Sequence, residues 1–412
     1  MRILYLNPGS SLGGAEMSLL DILETLGGAQ SEWQTGLITA ANGPLAESAA
    51  ALGIPVQVIP LPPAIARLGD AGTRLGRLAL LGKCIRAAGH CLPYLLRLRA
   101  AIRTFDPDVI HTNGFKMHVL GLWARAHHTP VIWHIRDYVS SRPVMRWLLK
   151  AVARDCRAAV CNSLSVCRDL ESVCGPQLPA YCLYNGIDLG RYTPEGEKTD
   201  LDELAGLAAA GPEVVRVGLV ATLARWKGHE VFLHAIAQLP ADLACRAYVI
   251  GGSIYQTEGS QYNLEELREL ARTLNIAGKV GFTGFVRETA KVIRALDIVV
   301  HASTQPEPFG RLIAEAMACG KPVITSGTGG AAELVTHRQN ALVHVSGDSA
   351  TLAERIAELT RDPQLRLELG RAGRATAESR FDRSRLVAQL LPIYRWAVTR
   401  STDGLPAALP LC

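Results

Sequence analysis

Short apolar runs recur along the chain, and segments with apolar residues three and four positions apart separate most of them. The runs have the length of buried strands, and the segments between them have the period of amphipathic helices. Strands that alternate with helices form parallel sheets with crossover connections, so the pattern predicts doubly wound α/β folding. In the first half of the chain the predicted strands are Ile3–Leu6, Thr35–Thr39, Val56–Ile59, Val109–Ile110, Val131–His134 and Ala158–Cys161.

A second series of strands and helices begins after the polar segment 189–212, whose glycines and prolines are typical of a linker. We therefore predict an N-terminal Rossmann-like domain at 1–188 and a C-terminal one at 189–382. The remainder, 383–412, contains a helical run long enough to pack back across both domains, followed by a tail. The strands predicted for the second domain are Val214–Ala221, Ala247–Ile250, Lys279–Thr283, Ile298–His301, Val323–Thr325 and Leu342–Val345.

A basic segment at about 61–105 interrupts the strand and helix rhythm of the first domain. Glycines and Pro93 interrupt it in turn, so we expect two or three helices. Two interpretations are equally open. The apolar and basic mixture suits an amphipathic helix on an anionic membrane surface, and it equally suits solvated helices whose arginines face water. The segment carries Arg67, Arg74, Arg77, Lys83, Arg86, Arg97, Arg99 and Arg103 against Asp70 alone.

Composition narrows the class of protein. No apolar run approaches the ~20 residues of a membrane span, and the N-terminal residues have no apolar signal region. We expect a cytoplasmic protein, peripheral at the inner membrane face if the basic segment binds lipid. The net charge of +5 is concentrated in that segment, and no nucleic acid partner is expected. No two cysteines show C-x-x-C spacing, so we predict buried free thiols and no metal site, including at the cluster Cys156, Cys161, Cys167, Cys174 and Cys182.

Two carboxylates flank a predicted helix start in the stretch 306–322. Gly310 opens the helix, and Gly320 with Pro322 ends it. Glu307 lies just before this helix and Glu315 lies within it. Backbone N–H groups at a helix start bind anions, whereas carboxylates repel phosphate and suit hydroxyl groups. The stretch therefore indicates a ligand that carries both phosphate and sugar hydroxyls.

Further candidates follow predicted strands, where the ligands of doubly wound domains bind. Glycine pairs allow backbone to approach a phosphate closely. Cations beside a helix start can clamp a diphosphate. Arg225 and Lys227 are the candidates, and Lys227 is the stronger one. His134 ends a strand and can donate to a hydroxyl or phosphate; His111 and His118 are weaker candidates. The sites are Gly13-Gly14, His134, Arg225 with Lys227, and Gly329-Gly330 with Glu333.

These features together resemble family 4 of the retaining glycosyltransferases, which have the GT-B fold. Glu307 and Glu315 form an E-x7-E box with Pro308-Phe309-Gly310 between them. Its companions occur in a matching order over nearly the whole chain. They are Gly13-Gly14-Ala15-Glu16, Lys227-Gly228, Gly284-Phe285 and Gly329-Gly330-x-x-Glu333. The resemblance implies two Rossmann-like domains that face a cleft, with the acceptor site in the first and the nucleotide-sugar donor site in the second.

The resemblance also implies residue roles. Glu307 would bind donor sugar hydroxyls, Glu315 the ribose, and Lys227 the diphosphate. His134 would touch the sugar near the reaction centre. The remaining donor-binding positions would act mostly through backbone: Phe309 and Gly310 at the sugar and phosphate, Phe285 at the base, and Gly13, Gly14, Gly329 and Gly330 at phosphates or acceptor. One position departs from the family, because Thr222 stands where an arginine is usual, and Arg225 is a candidate substitute.

The implied reaction is retaining transfer of a sugar from a nucleotide diphosphate donor to an acceptor hydroxyl. The resemblance implies neither a cofactor nor a metal. Preorganised positive charge on the leaving diphosphate would be the main means of catalysis. The acceptor would be a saccharide or a lipid-linked precursor of an envelope polysaccharide or glycolipid. Two alternatives stay open: a nucleotide-sugar epimerase of the same fold, and a non-catalytic nucleotide-sugar-binding or membrane-docking protein.

Overall fold

The computed structural model describes residues 1–29, 33–66, 77–126, 128–252 and 260–400. The chain divides into two compact units. Residues 1–186 and 383–412 form the first unit, and residues 187–382 form the second. In both units a parallel sheet alternates with helices along the chain, so the predicted pair of Rossmann-like α/β domains is confirmed.

The described part of the first unit contains a seven-stranded parallel sheet in the order β3-β2-β1-β4-β5-β6-β7. Buried aliphatic residues fill its central strands, as expected of a sheet covered on both faces. Six strands match the predicted ones closely, and the three-residue β7 was not predicted. The strands are β1 (Arg2–Asn7), β2 (Gln34–Thr39), β3 (Val56–Val58), β4 (Val109–Asn113), β5 (Val131–Ile135), β6 (Ala158–Cys161) and β7 (Ala180–Cys182).

Helices connect these strands in the order of a doubly wound fold. Ser163 caps the last of them by accepting a hydrogen bond from the N–H of Val166. The helices are α1 (Gly14–Ala29), α2 (Pro44–Ala51), α3 (Pro63–Ala66), α4 (Arg77–Phe105), α5 (Phe115–Ala124), α6 (Pro143–Val152) and α7 (Leu164–Cys174).

The basic segment forms one short helix and one long one. These two described helices agree with the predicted two or three, and Pro93 lies inside α4 rather than between helices. The helix continues because its far end buries a regular stripe, Tyr94, Leu98, Ala101 and Ile102, in the core of the unit. Arg67, Asp70, Arg74 and Gly76 lie outside the described residues, as do the side chains of Arg77, Lys83 and Arg86.

The described part of the second unit contains a six-stranded parallel sheet in the order β10-β9-β8-β11-β12-β13. Its strands are β8 (Val215–Val220), β9 (Cys245–Ile250), β10 (Val280–Gly284), β11 (Ile298–His301), β12 (Val323–Thr325) and β13 (Leu342–Val343). Its helices are α8 (Leu201–Leu204) within the predicted linker, α9 (His229–Ala237), α10 (Leu264–Thr273), α11 (Thr289–Ala295), α12 (Arg311–Ala318), α13 (Ser349–Arg361) and α14 (Pro363–Arg380).

The chain returns to the first unit at Arg383 and ends its described part with helix α15 (Arg385–Thr399). This helix packs against α1 and β4, and it buries Leu390 and Tyr394 in the same apolar cluster as Tyr5 of β1. It is therefore part of the first unit's core. The predicted packing of this helix across both domains stays a prediction. Among the described residues, no helix is both long and apolar enough to cross a bilayer.

Candidate functional site

The second sheet reverses its strand order between β8 and β11, which lie side by side. Ligands of open α/β sheets bind outside the carboxyl ends of the strands at such a switch point. The loop 221–228 leaves β8 and the loop 302–310 leaves β11 at this place. These two loops carry Lys227 and Glu307, so strand order itself brings the two predicted residues to one site.

Lys227 and Glu307 form an ion pair, although 80 positions separate them in the sequence. The Lys227 ammonium donates to Glu307 Oε2 at 2.7 Å. Glu307 is only 8% exposed, and Lys227 also lies 4.0 Å from the centre of the Trp226 ring. A buried carboxylate needs compensating charge, and Lys227 supplies it.

Two further side chains reach the same carboxylate oxygen. His301 Nε2 lies 3.1 Å from Glu307 Oε2, and the Ser303 hydroxyl donates to it at 3.0 Å. His301 Nδ1 lies 3.0 Å from the Thr325 hydroxyl, which fixes the ring. Sequence reasoning missed His301 and Ser303. The signal was present, because His301 ends a strand as His134 was predicted to do.

The electrostatics of Glu307 follow from these contacts. Burial by itself would raise the pKa of the carboxyl group, but the Lys227 charge and the hydrogen bond from His301 outweigh it. The pKa of Glu307 therefore lies well below its usual range. Glu307 is a fixed carboxylate at neutral pH, suited to accepting hydrogen bonds rather than to donating a proton.

Close backbone contact between the two loops explains Gly228. Its φ is +79°, and a Cβ at this position would lie 1.9 Å from the carbonyl oxygen of Ala302. Nearby, Thr304 N–H donates to the Trp226 carbonyl at 2.8 Å. Only glycine permits this approach, which places Lys227 beside the loop that carries Glu307.

The glycine pair 329–330 also meets Glu307, through its backbone. Gly330 N–H donates to the Glu307 carbonyl at 2.7 Å, and Gly329 pairs with Glu307 in a parallel bridge. Gly310 has φ +92° and precedes α12 without a side-chain cap. The Phe309 side chain is buried and meets Phe381 edge to face. Glu307, Phe309, Gly310, Gly329 and Gly330 thus form one connected backbone structure.

Glu315 lies on α12, one turn after Arg311. Arg311 Nε donates to Glu315 Oε1 at 2.7 Å, and both side chains are largely buried. Sequence reasoning named Glu315 but missed Arg311, although the four-residue spacing of opposite charges is a recognisable signal. The arginine holds the carboxylate in one orientation.

The side chains of Arg225 and Phe285 have other surroundings. The Arg225 guanidinium pairs with Glu266 at 3.4 Å and lies 4.3 Å from the centre of the Tyr262 ring. Phe285 follows β10 with its side chain 62% exposed. The substitution of Arg225 for the charge missing at Thr222 stays a prediction.

In the first unit, the structure brings His134 and His111 together. His134 is 2% exposed, and its Nδ1 lies 3.0 Å from His111 Nε2 and 3.2 Å from the Arg136 guanidinium. Burial, and then the Arg136 charge, lowers the pKa of His134 well below its usual range, so the ring is neutral. His134 Nε2 is buried and has no hydrogen-bond partner among the described residues.

The other first-unit candidates have simpler surroundings. Gly13 N–H donates to the Glu16 carboxylate at 3.2 Å, so this acid occupies the helix start where a phosphate was expected. A Cβ on Gly14 would meet nothing within 4 Å. His118 hydrogen-bonds the Thr112 hydroxyl at 2.7 Å and stacks on Trp133 inside the core. Its surroundings are those of a structural histidine.

Comparison with known proteins agrees with this arrangement. A model described as glycosyl transferases group 1 matches residues 212–376, and one described as Glycosyltransferase Family 4 matches residues 12–191. The two matches cover most of both units. The chain belongs to the family 4 glycosyltransferases.

Two curated relatives of this family 4 member are similar over about half of its length. Spore coat protein SA of Bacillus subtilis is 29% identical over an alignment that covers 52% of this chain and 57% of the length of that protein. A D-inositol 3-phosphate glycosyltransferase of Xylanimonas cellulosilytica is 30% identical over 59% of this chain and 58% of its own. The chain thus spans less than two thirds of either relative.

A solved structure matches over more of the chain. The complex of Anabaena HepE with UDP is 27% identical, covers 96% of this chain and 100% of its own, and superposes with a TM-score of 0.76. The complex of HepE with UDP-glucose gives a TM-score of 0.77 at 26% identity. The GT-B type of fold therefore extends over both units.

The cysteines of this family 4 member are free thiols wherever the structure describes them, including the five of the predicted cluster. Burial raises the pKa of the Cys156 thiol above its usual range. In the described residues, no group of three or more histidine, cysteine or acidic side chains is arranged to hold a metal ion.

Proposed function

We propose that this protein transfers a sugar from a nucleotide diphosphate donor to an acceptor hydroxyl, with retention at the anomeric carbon. The observation that carries the proposal is the Lys227–Glu307 pair at the switch point of the second sheet. It combines a cation for a diphosphate with a fixed carboxylate for sugar hydroxyls. The UDP and UDP-glucose complexes of HepE support a donor of this class.

The second unit would bind the donor. Glu307 would accept hydrogen bonds from the sugar hydroxyls, and Glu315, oriented by Arg311, would bind the ribose. The backbone N–H groups at the start of α12, after Gly310, would face the diphosphate with Lys227. The backbone of Phe309, Gly329 and Gly330 would line the sugar and phosphates, and that of Phe285 the base.

Transfer would proceed by attack on the face from which the diphosphate leaves. The bond from the anomeric carbon to the diphosphate oxygen breaks, and a bond to the acceptor oxygen forms. The acceptor proton passes to the departing phosphate oxygen. Lys227 would stabilise the charge that develops there, without a metal. Glu307 acts as a binding group in this scheme, because its low pKa keeps it ionised.

The first unit would hold the acceptor. His134 would reach the reacting sugar, and Gly13 and Gly14 would lie near the phosphates or acceptor. A segment within 185–211 would serve as hinge, and closure would exclude water that otherwise hydrolyses the donor.

An exposed face of α4, α5 and α6 supports an acceptor at a membrane. Trp147 is 70% exposed, and Leu92, Leu96 and Trp123 are also exposed. Neither 77–105 nor 142–154 contains an acidic residue. We call this the basic face; its exposed cations are Arg97, Arg99, Arg103, Arg146, Lys150 and Arg154.

Exposed tryptophan beside cations suits the interface of an anionic bilayer. We therefore propose peripheral binding at the cytoplasmic membrane face and an acceptor that is a lipid-linked or envelope saccharide precursor. Vesicle co-sedimentation with the full chain tests this, comparing phosphatidylglycerol mixed into phosphatidylcholine with phosphatidylcholine alone.

Replacing Arg146 and Lys150 with Glu should weaken binding to the anionic vesicles by at least about tenfold, since each cation contributes roughly 1 kcal/mol. The matched control replaces Arg361 and Arg371, exposed cations of α13 and α14, with Glu. Equal losses in the two double variants would contradict the basic face.

The reaction itself is tested by incubating the protein with nucleotide sugars and a panel of saccharide acceptors. We expect release of nucleoside diphosphate that depends on acceptor, and a product with the donor's anomeric configuration by NMR. Turnover of donor without acceptor would favour the epimerase alternative. Donor binding with neither hydrolysis nor transfer would favour the non-catalytic alternative.

A further inference from the structure

A chain of buried side chains leads from β1 through the last helix to His134. The Tyr5 and Tyr394 hydroxyls lie 3.0 Å apart, and the Tyr394 hydroxyl lies 2.6 Å from His111 Nδ1. His111 Nε2 lies 3.0 Å from His134 Nδ1. All four side chains belong to the first unit and are almost fully buried.

Arg136 sets the direction of this chain. Its guanidinium lies 3.2 Å from His134 Nδ1 and carries only donors. His134 Nδ1 must therefore accept, and the proton of the neutral ring resides on Nε2. His111 must then donate from Nε2 and accept at Nδ1. Tyr394 donates to that Nδ1 and accepts from Tyr5. The opposite direction would place two donors face to face at His134.

We propose that Tyr5, Tyr394 and His111, together with Arg136, are positioning residues that hold His134 in its Nε2–H tautomer. His134 then presents a hydrogen-bond donor and cannot act as a base through Nε2. Its matching ligand atom is an acceptor oxygen, such as that of a sugar hydroxyl or phosphate. This assignment of the ligand rests on the proposed function, whereas the tautomer does not.

The buried Nε2 of His134 is suited to an acceptor atom of a ligand. A buried N–H without a partner is costly, and His134 Nε2 has none among the described residues. An acceptor oxygen from a bound sugar would satisfy it. Tyr5 and Tyr394 both lie outside residues 12–191 and 212–376, which the two family models match. The two tyrosines that support His111 therefore come from segments that neither model covers.

The tautomer is measured directly by long-range proton–nitrogen NMR of histidine-labelled full-length protein without ligand. We expect His134 to show a protonated Nε2 and an accepting Nδ1, and His111 likewise. In Tyr394→Phe, the His111 Nδ1 signal should shift because this nitrogen loses the hydroxyl that donates to it. A His134 with its proton on Nδ1 in the unmutated protein would overturn the proposal whether or not the protein transfers sugar.

Kinetics separate positioning from general stability. Tyr394→Phe should lower kcat about tenfold, as expected for a misplaced donor, with a smaller change in KM. The matched control Tyr181→Phe removes the hydroxyl of another buried tyrosine in the same apolar cluster and should change kcat less than about twofold. Thermal melts of both variants check that they fold.

A double variant completes the test. His134→Gln offers an amide donor that has no tautomers. The activity that remains in this variant should therefore not depend on Tyr5, Tyr394 or His111. Adding Tyr394→Phe to His134→Gln should cause no further loss of kcat. A further loss equal to that seen with His134 intact would mean that Tyr394 acts only through stability, and would overturn the proposal.

Discussion

At the scale of single residues, the site depends on one carboxylate oxygen that receives three donors. Lys227, His301 and Ser303 all meet Glu307 Oε2. The arrangement resolves the repulsion expected between a carboxylate and a diphosphate donor, because Glu307 brings its own positive partner. It also means that the effects of substituting Lys227 and Glu307 are not independent.

Lys227→Met should lower the free energy of unfolding by about 3 kcal/mol, because it leaves a buried carboxylate without its cation. Urea denaturation at neutral pH measures the loss. The double variant Lys227→Met/Glu307→Gln should recover much of the stability, since neither charge remains. A single variant as stable as the exposed control Lys150→Met would show that the pair contributes little.

Substitutions of Glu315 and Lys227 should differ in their kinetic effects. Glu315→Ala should weaken donor binding about tenfold through lost charged hydrogen bonds. Lys227→Ala should mainly lower kcat, by about 100-fold, because the charge it faces grows as the diphosphate leaves. Isothermal titration and steady-state kinetics separate the two. Equal losses of binding and kcat in both variants would contradict this division of roles.

Sequence reasoning named Lys227, Glu307 and Glu315 as candidates but did not predict the contacts that they make. Glu315 and Arg311 lie within one helix, so local spacing contained that pair. The Lys227–Glu307 pair depends on β8 and β11 being neighbours across a crossover, which no local pattern encodes. The contact of the Gly13 N–H with the Glu16 carboxylate was not predicted, and the role of Gly13 near the phosphates or acceptor stays a prediction.

At the scale of elements, two strand-end loops meet so closely that one position must be glycine. Gly228 approaches the carbonyl of Ala302, and the loops share the Thr304–Trp226 hydrogen bond. The first turn of α9 follows directly. The position of Lys227 is therefore a property of packed backbone as well as of its own side chain.

Gly228→Ala should destabilise the protein by about 3 kcal/mol, from a positive φ and a backbone clash together. Gly206→Ala is the matched control in the same unit, because Gly206 also has a positive φ, +67°, but a Cβ there meets nothing within 4 Å. The control should cost about 1 kcal/mol. Chemical denaturation measures the free energy of unfolding of both variants. Equal losses would show that the backbone at Ala302 shifts to accommodate a Cβ at position 228 without a large energetic cost.

The order of strands and helices was largely predictable, and the exceptions have physical causes. The strand β7 spans three residues, too few to show alternation. The helix α4 runs through Pro93 because the buried stripe around Tyr94 and Leu98 outweighs one lost backbone hydrogen bond. The helix propensities of the local sequence do not predict tertiary packing of that kind.

At the scale of the whole molecule, the first unit keeps three neutral histidines in its interior. Burial lowers the pKa of His111 and His134 well below the usual range, and that of His118 to about 3. These groups bind protons more readily when unfolded. Stability is therefore full above the unfolded histidine pKa and falls as the pH drops below it.

Below about pH 6.5, each such histidine should add a slope of roughly 1.4 kcal/mol per pH unit to the loss of stability. Urea midpoints at about pH 7.5 and about pH 5.5 test this for the full chain. His118→Gln should show a smaller difference between the two pH values than the unmutated protein. A difference as large in His118→Gln as in the unmutated protein would contradict the contribution of this buried histidine.

The proposed function requires that the second unit bind a nucleotide sugar through the Lys227–Glu307 pair. Isothermal titration of the full chain with a panel of nucleotide sugars, UDP-glucose among them, tests this most directly. We predict that at least one binds, and that Glu307→Gln weakens it about tenfold or more while Lys150→Gln does not. A donor that binds the Glu307→Gln variant as tightly as the unmutated protein would contradict the account.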